Sequence, residues 1–188
     1  MILASNHASY IDPPLVGAAS GRPVVFLARH SLFDSWLSNW FLRRVHTIPL
    51  DREGPASTGL KTALDALKKK QVLLIFPEGT RSSDGGLQPM LSGVPMLALK
   101  THSALVPTRV FGTFEAMNKK SIFPKLVQLS VVFGHPLDLS DLKSHGKMTP
   151  EKRKQCYQIA SERLFKAIEE LQPCTQVTRF PNTPLRRT

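Results

Sequence analysis

Apolar residues fall into two kinds of run along this chain. Some are short and continuous: "MILAS" at the start, "PVVFLAR" from Pro23, "VLLIF" from Val72, then "ALVPTRVFG" and "LVQLSVVFG". Continuous apolar runs of this length, rich in β-branched residues, predict buried strands, and strands covered on both faces are the rule in parallel sheets. Other runs repeat at helical spacing. "FDSWLSNWFLRRV" places Phe33, Trp36, Leu37, Trp40 and Phe41 on one side and Arg43 and Arg44 at the end where cations suit the helix dipole. "STGLKTALDALKKK" turns Leu60, Ala63, Leu64 and Leu67 inward. "PMLSGVPMLALKT" reads as largely helical, with Gly93 and Pro95 moving its start to after "SGVP". The clearest helix is "TPEKRKQCYQIASERLFKAIEELQ". Thr149 can cap it, Pro150 suits its first turn, Glu151 suits the positive helix end, and Tyr157, Ala160, Leu164, Ile168 and Leu171 face inward. Between strand and helix lie a short extended piece, "TIPLDR", and two polar loops, "NHASYID" and "PEGTRSSDGG". Strands alternating with helices predict an α/β fold: a single domain with a mostly parallel central sheet flanked by helices.

Size and composition agree with one domain. The chain has 188 residues, 41% of them apolar, enough for a substantial core. Residues 1–172 carry the regular pattern; residues 173–188, ending "TRFPNTPLRRT", read as a loose basic tail. No run approaches the roughly 18 apolar residues of a membrane-spanning helix, and no leader pattern follows Met1. Cys156 and Cys174 lie outside any metal-ligand spacing, and a reducing, cytoplasmic setting fits them. His30, His46, His102, His135 and His145 show no ligand spacing either, so no metal is expected. The formal net charge is +11, which concerns partners rather than fold. It favours nucleic acid, anionic lipid headgroups or phosphorylated small molecules. The basic residues form dispersed clusters, at Lys68 to Lys70 and Lys152 to Lys154 for example, with no recognition helix, zinc finger or aromatic–basic pattern. No nucleic-acid partner is expected.

The two polar loops hold the candidate chemistry. In the first, Asn6, His7, Ser9, Tyr10 and Asp12 fall within seven positions. A carboxylate can hold an imidazole so that it takes a proton from a hydroxyl; the same residues also make an ordinary polar turn. Five residues of regular helix subtend about 140°, so His7 and Asp12 meet only if the segment turns. Pro13 and Pro14 would open a helix just after Asp12. The second loop follows "VLLIF", and ligands of open parallel sheets sit at the carboxyl ends of strands. Gly79 permits close backbone approach, and Arg81 offers a planar fork for phosphate or carboxylate. Glu78 has three readings: paired with Arg81, orienting it, or accepting from a substrate hydroxyl. A surface turn with a salt bridge remains the plain alternative.

Taken together and in order, the blocks resemble those of the glycerolipid acyltransferases. "NHASYID" is similar to the family's Asn-His-x-x-x-x-Asp block and "FPEGTRS" to its Phe-Pro-Glu-Gly-Thr-Arg-Ser block. Between them "IPLDRE" resembles the second block, ending in Arg52, and "ALVPTRVFGT" resembles the fourth, with Val106, Pro107, Gly112 and Thr113. The resemblance runs from about Ile2 to Leu139, and the nearest members are the 1-acyl-sn-glycerol-3-phosphate acyltransferases. Two departures stand out. His46 occupies a position where the second block often has glycine, and the usual N-terminal membrane-associated segment is absent, from a short form or a start upstream of Met1.

The resemblance implies transfer of a fatty acyl group from a thioester, acyl-coenzyme A or acyl-carrier protein, to the sn-2 hydroxyl of lysophosphatidate. These are co-substrates; no cofactor is implied. Other acceptors, such as glycerol-3-phosphate or another lysolipid, and a non-catalytic lipid-binding relative are the alternatives. His7 becomes the base, since an imidazole ordinarily titrates near ~6.5. Asp12 orients it, as in a serine hydrolase triad. Arg52 and Arg81 hold the phosphate, with Gly79 and Thr80 shaping the pocket between them, and Glu78 is a further substrate-binding residue. Asn6 is one possible oxyanion donor, and Pro107 borders the acyl-donor side or simply ends a strand. The Trp36/Trp40 helix lines an acyl groove, lies in a bilayer interface or packs in the core. The expected setting is peripheral, on an anionic membrane surface at its cytoplasmic face.

Overall fold

The computed structural model describes residues 1–29, 36, 47–50, 57–119, 121, 123–143 and 148–173. Six strands form one sheet in the order β3-β2-β4-β1-β5-β6. They are β1 (Ile2–Ser5), β2 (Val24–Arg29), β3 (Thr47–Leu50), β4 (Val72–Ile75), β5 (Leu105–Phe111) and β6 (Ser130–Phe133). All neighbours are parallel except β5 and β6. The helices whose bounds are described are α1 (Asp12–Ala19), α2 (Ser57–Lys68), α3 (Gly93–Thr101), the short α4 (Thr113–Ala116) and α5 (Pro150–Glu169). The expected α/β fold with a mostly parallel sheet is the observed one.

Strand alternation sorts the core into two layers. Ile2, Ala4, Leu73 and Leu105 meet α2, α3 and α5 through Ala63, Leu67, Leu97, Ala98, Ala160, Leu164 and Ile168. Leu3, Phe26, Leu74, Val106 and Val110 turn to the opposite face, where Val16 of α1 joins them. The tail of the chain as far as α5 is therefore part of the same core. α1 comes in close because Gly17 has no side chain: a Cβ there would lie 2.9 Å from the Phe26 ring.

This layering positions the functional edge. β1 and β4 are neighbours, yet β1 leads into α1 on one face while β4 leads towards α3 on the other. Adjacent parallel strands whose continuations part in this way leave a crevice at their carboxyl ends. The two polar loops, residues 6–12 and 76–92, fill it.

Several elements differ in detail from the sequence reading. α3 begins at Gly93, not after Pro95, because a proline in the first helical turn gives up no intrahelical hydrogen bond. β6 covers only Ser130–Phe133; Leu126 and Val127, expected in that strand, are exposed. In α5, Thr149 caps Lys152 N–H at 3.2 Å as expected, but Cys156 takes the buried place given to Tyr157, which is half-buried. Of the tryptophan helix only Trp36 is described; it is 82% exposed, so the core does not hold it. Trp40, His46, Arg52 and residues 174–188 lie outside the described residues. Among the described residues no helix is long and apolar enough to cross a membrane.

Candidate active site

The loop after β1 brings His7 and Asp12 together. Asp12 is the first residue of α1, followed by Pro13 and Pro14 where no intrahelical donor is needed. Its side chain folds back over the loop. Oδ2 accepts the backbone N–H groups of Ala8 and Ser9, each at 2.7 Å, and lies 2.8 Å from His7 Nδ1. An aspartate accepting from the backbone just before it makes a tight turn, which is how five residues of separation become one hydrogen bond. Asp12 is fully buried, and these three donors compensate the desolvated charge on that oxygen. Ser9 completes the turn by donating to Met117 O at 2.6 Å and accepting from Ile11 N–H at 3.2 Å. These are the contacts of a turn residue.

The His7 ring stacks on Phe76 with centroids 4.0 Å apart and planes 17° from parallel. With Nδ1 committed to Asp12, Nε2 is the nitrogen left to exchange a proton with a reactant.

Phe76 opens the second loop. Gly79 N–H returns to Phe76 O at 3.1 Å, closing a turn with Pro77 second and Gly79 fourth, the residue pattern that type I turns favour. Gly79 has φ +71°, a left-handed conformation where other residues are strained. The turn drives Glu78 inward, to 7% exposure. Glu78 Oε1 accepts the backbone N–H of His7 at 3.3 Å, while Oε2 is buried without a partner among the described residues. Burial pushes the Glu78 carboxyl up to about 7, and the Asp12 charge adds to it; the backbone N–H groups of His7 and Gln88 oppose the rise. From the other side, Ser82 N–H donates to His7 O at 2.7 Å. The peptide of the histidine is thus gripped at both ends by the second loop.

Among the described residues no ion pair joins Glu78 to Arg81. Instead the Arg81 guanidinium lies over the Tyr10 ring, 3.6 Å from its centroid, and Nη1 is buried with no hydrogen-bond partner among the described residues. A buried guanidinium N–H lacking an acceptor is a place for an anionic ligand. Thr80, next to it, is exposed.

Two expected site residues are engaged elsewhere. Asn6 donates from Nδ2 to Val110 O at 3.2 Å and accepts at Oδ1 from Val110 N–H at 2.8 Å. The β1–β5 ladder ends at the Ser5–Thr108 pair, and this side chain supplies its next rungs. Asn6 thus serves the strand with Oδ1 and one of its two Nδ2 hydrogens. Pro107 is buried within β5, in register with Ala4, and a Cβ on Gly134 would come 2.9 Å from its Cγ. Its place is the strand interior. A cavity of about 100 Å³ lies beside the first loop, lined by Asn6, Ala8, Leu87, Val110 and Thr113 among others. That is small against the roughly 300–1,000 Å³ of typical ligand pockets.

Sequence reasoning assigned no role to Tyr10 or to the backbone grip of Glu78 and Ser82. Their partners are distant in the chain or main-chain atoms, so spacing carries no signal of them.

A histidine–aspartate pair and a glycine-turn loop meet in the crevice of a mostly parallel sheet, which makes the chain an α/β protein with a candidate site at its strand ends. The family model described as Acyltransferase matches residues 1–110, more than half the chain, and the protein belongs to that family. Similar proteins carry one name, 1-acyl-sn-glycerol-3-phosphate acyltransferase. That of Limnanthes alba is 34% identical over 143 residues, 74% of this chain and 51% of the relative. That of Bacillus subtilis is 29% identical over 142 residues, covering 74% and 68%. That of Streptococcus pneumoniae is 28% identical over 144 residues, covering 76% and 52%. The chain thus spans about half to two thirds of these relatives' lengths. The crystal structure of the 1-acyl-sn-glycerophosphate (LPA) acyltransferase PlsC from Thermotoga maritima shares the fold, with a TM-score of 0.67, 23% identity, and coverage of 93% of this chain and 68% of that one.

Proposed function

We propose that this chain carries the acyl-transfer site of a 1-acyl-sn-glycerol-3-phosphate acyltransferase, moving a fatty acyl group from a thioester to the sn-2 hydroxyl of lysophosphatidate. The observation that carries the reading is the 2.8 Å contact of His7 Nδ1 with buried Asp12, a loop away from an Arg81 N–H with no acceptor. The names of the relatives support the choice of acceptor.

The chemistry follows from the atoms. The acceptor hydroxyl donates its proton to His7 Nε2 as its oxygen attacks the thioester carbonyl. Asp12, bonded to the other ring nitrogen, stabilises the imidazolium that forms. The tetrahedral intermediate then expels the thiolate, and the imidazolium returns the proton to that sulfur. One ester C–O bond forms, one C–S bond breaks, and the histidine ends as it began. Arg81, with Arg52, binds the acceptor phosphate; Gly79 and Thr80 shape the pocket beside it. Tyr10 keeps the Arg81 plane in place by cation–π contact, a device worth about 0.5–2 kcal/mol. Acyl-coenzyme A and acyl-carrier protein are both donors this chemistry accepts. The charge of +11 suits an anionic membrane surface from which the lipid acceptor is drawn.

A panel of donors and acceptors tests the reading, following thiol release and lipid product together on purified protein with vesicles. Thiol release matched by phosphatidate, and dependent on lysophosphatidate, is the expected result. Preference for glycerol-3-phosphate or another lysolipid would replace the acceptor, and binding without thiol release would make the chain a lipid-binding relative.

A further inference from the structure

The proposed chemistry leaves unused a compact polar knot just beyond Arg81. Its centre is Ser82, 2% exposed, whose Oγ donates to Asp84 Oδ1 at 2.8 Å and accepts from Gly85 N–H at 3.0 Å. The same hydroxyl lies 3.4 Å from Asp84 N and from Gln88 Nε2. Asp84 Oδ1 in turn accepts from Gly86 N–H at 3.0 Å and from Gln88 Nε2 at 3.4 Å. The hydrogen bond from Ser82 holds the Asp84 carboxyl below the usual carboxylate range, and Gly86 N–H adds to this. Asp84 itself is exposed, so the knot has its core at Ser82 and its outer end in solvent.

The knot has a structural use at its core. Ser82 N–H makes the 2.7 Å bond to His7 O, the shortest backbone link between the two loops. Whatever fixes the Ser82 backbone fixes the histidine peptide, and through it the ring. Gly85, at φ +85°, rests against Phe114 so closely that a Cβ would lie 3.0 Å from that ring. The far end of the knot is therefore seated on α4, whose next residue, Met117, also receives Ser9 of the first loop.

We infer that Ser82 is a positioning residue for His7: its hydroxyl folds residues 82–88 around itself and so sets the N–H that holds the His7 carbonyl. Ser82 touches no reactant. The inference rests on His7 being the base, and it adds that the reach of that base is set by a hydroxyl 75 residues away in sequence and by Asp84 behind it.

The test uses Ser82→Ala, Asp84→Ala and Asp84→Asn in the full chain. Asn keeps Oδ1 as acceptor and Ala does not. Because Asp84 is exposed, its variants avoid any cavity at the buried serine. The expected result is that Ser82→Ala and Asp84→Ala lower kcat about ten- to hundredfold, as small misplacements of a reacting group do, with the acceptor KM nearly unchanged in both and the melting transition nearly unchanged in Asp84→Ala. Asp84→Asn should stay close to the unaltered chain. The His7 ring resonances should move in the two alanine variants and not in the asparagine one. Wild-type kcat in both alanine variants, or unmoved His7 resonances, would overturn the inference. So would a rise in acceptor KM alone, which would place Ser82 against substrate. Should His7→Ala retain turnover, the base assignment fails by itself, and the resonances still report whether Ser82 sets the ring.

Discussion

Replacing Glu78 by glutamine should flatten the pH dependence of folding stability. Glu78 is 7% exposed, and burial raises its carboxyl from 4.5 to about 7, with Asp12 adding to the rise. The sign follows from proton counting. Between 4.5 and about 7 the native chain holds a proton on Glu78 that the unfolded chain has released, so stability falls as pH rises through that window. Below it, both states are protonated and the contribution is intact. One pKa unit is worth ~1.4 kcal/mol, so the loss above the window reaches at most about 3.5 kcal/mol, reduced by whatever screening the crevice admits. Glutamine keeps an oxygen to accept His7 N–H and carries no charge. Urea unfolding of both chains at about pH 5 and about pH 8 gives the comparison. The unaltered chain should lose up to about 2.5 kcal/mol more than Glu78→Gln between the two. Parallel losses would show that Glu78 does not titrate in that window and would refute the burial argument.

Arg81→Ala should raise the apparent KM for lysophosphatidate by about 10- to 100-fold while leaving that for the thioester nearly unchanged, since a hydrogen bond to a charged group is worth about 1.5–3 kcal/mol; steady-state kinetics varied in each substrate separate the two. Asn6→Ala should lower stability by about 1–3 kcal/mol in urea titration, because it strands the buried N–H of Val110 that Asn6 now satisfies at 2.8 Å.

The sequence disclosed the sheet because a strand buried on both faces can hardly avoid a continuous apolar run, as in Val72–Ile75 and Ile2–Ser5. It disclosed the two candidate-site loops because each follows such a run and holds residue types with few other uses together. Shorter-range competition set the limits. Pro95 looked like a boundary, yet it sits inside the first turn of α3, where its missing N–H is harmless. Leu126 and Val127 look like strand residues, but the ladder pairs only from Ser130, and Leu126 is fully exposed. Asn6, one possible donor for chemistry, also completes the sheet edge, a tertiary role that its type and spacing do not announce. The grip of Glu78 and Ser82 on the His7 peptide spans more than 70 residues and ends on main-chain atoms, which every residue carries. Such a contact leaves no pattern of side-chain types to read.

The proton acceptor is the centre of the account, and His7→Ala probes it most directly. Circular dichroism and thermal melting establish that the variant is folded, and thiol release with lysophosphatidate measures turnover. The expected result is an intact melting transition with turnover lowered by about 10²–10⁴-fold, the usual contribution of general base catalysis. A folded His7→Ala protein that turns over at the unaltered rate would contradict it.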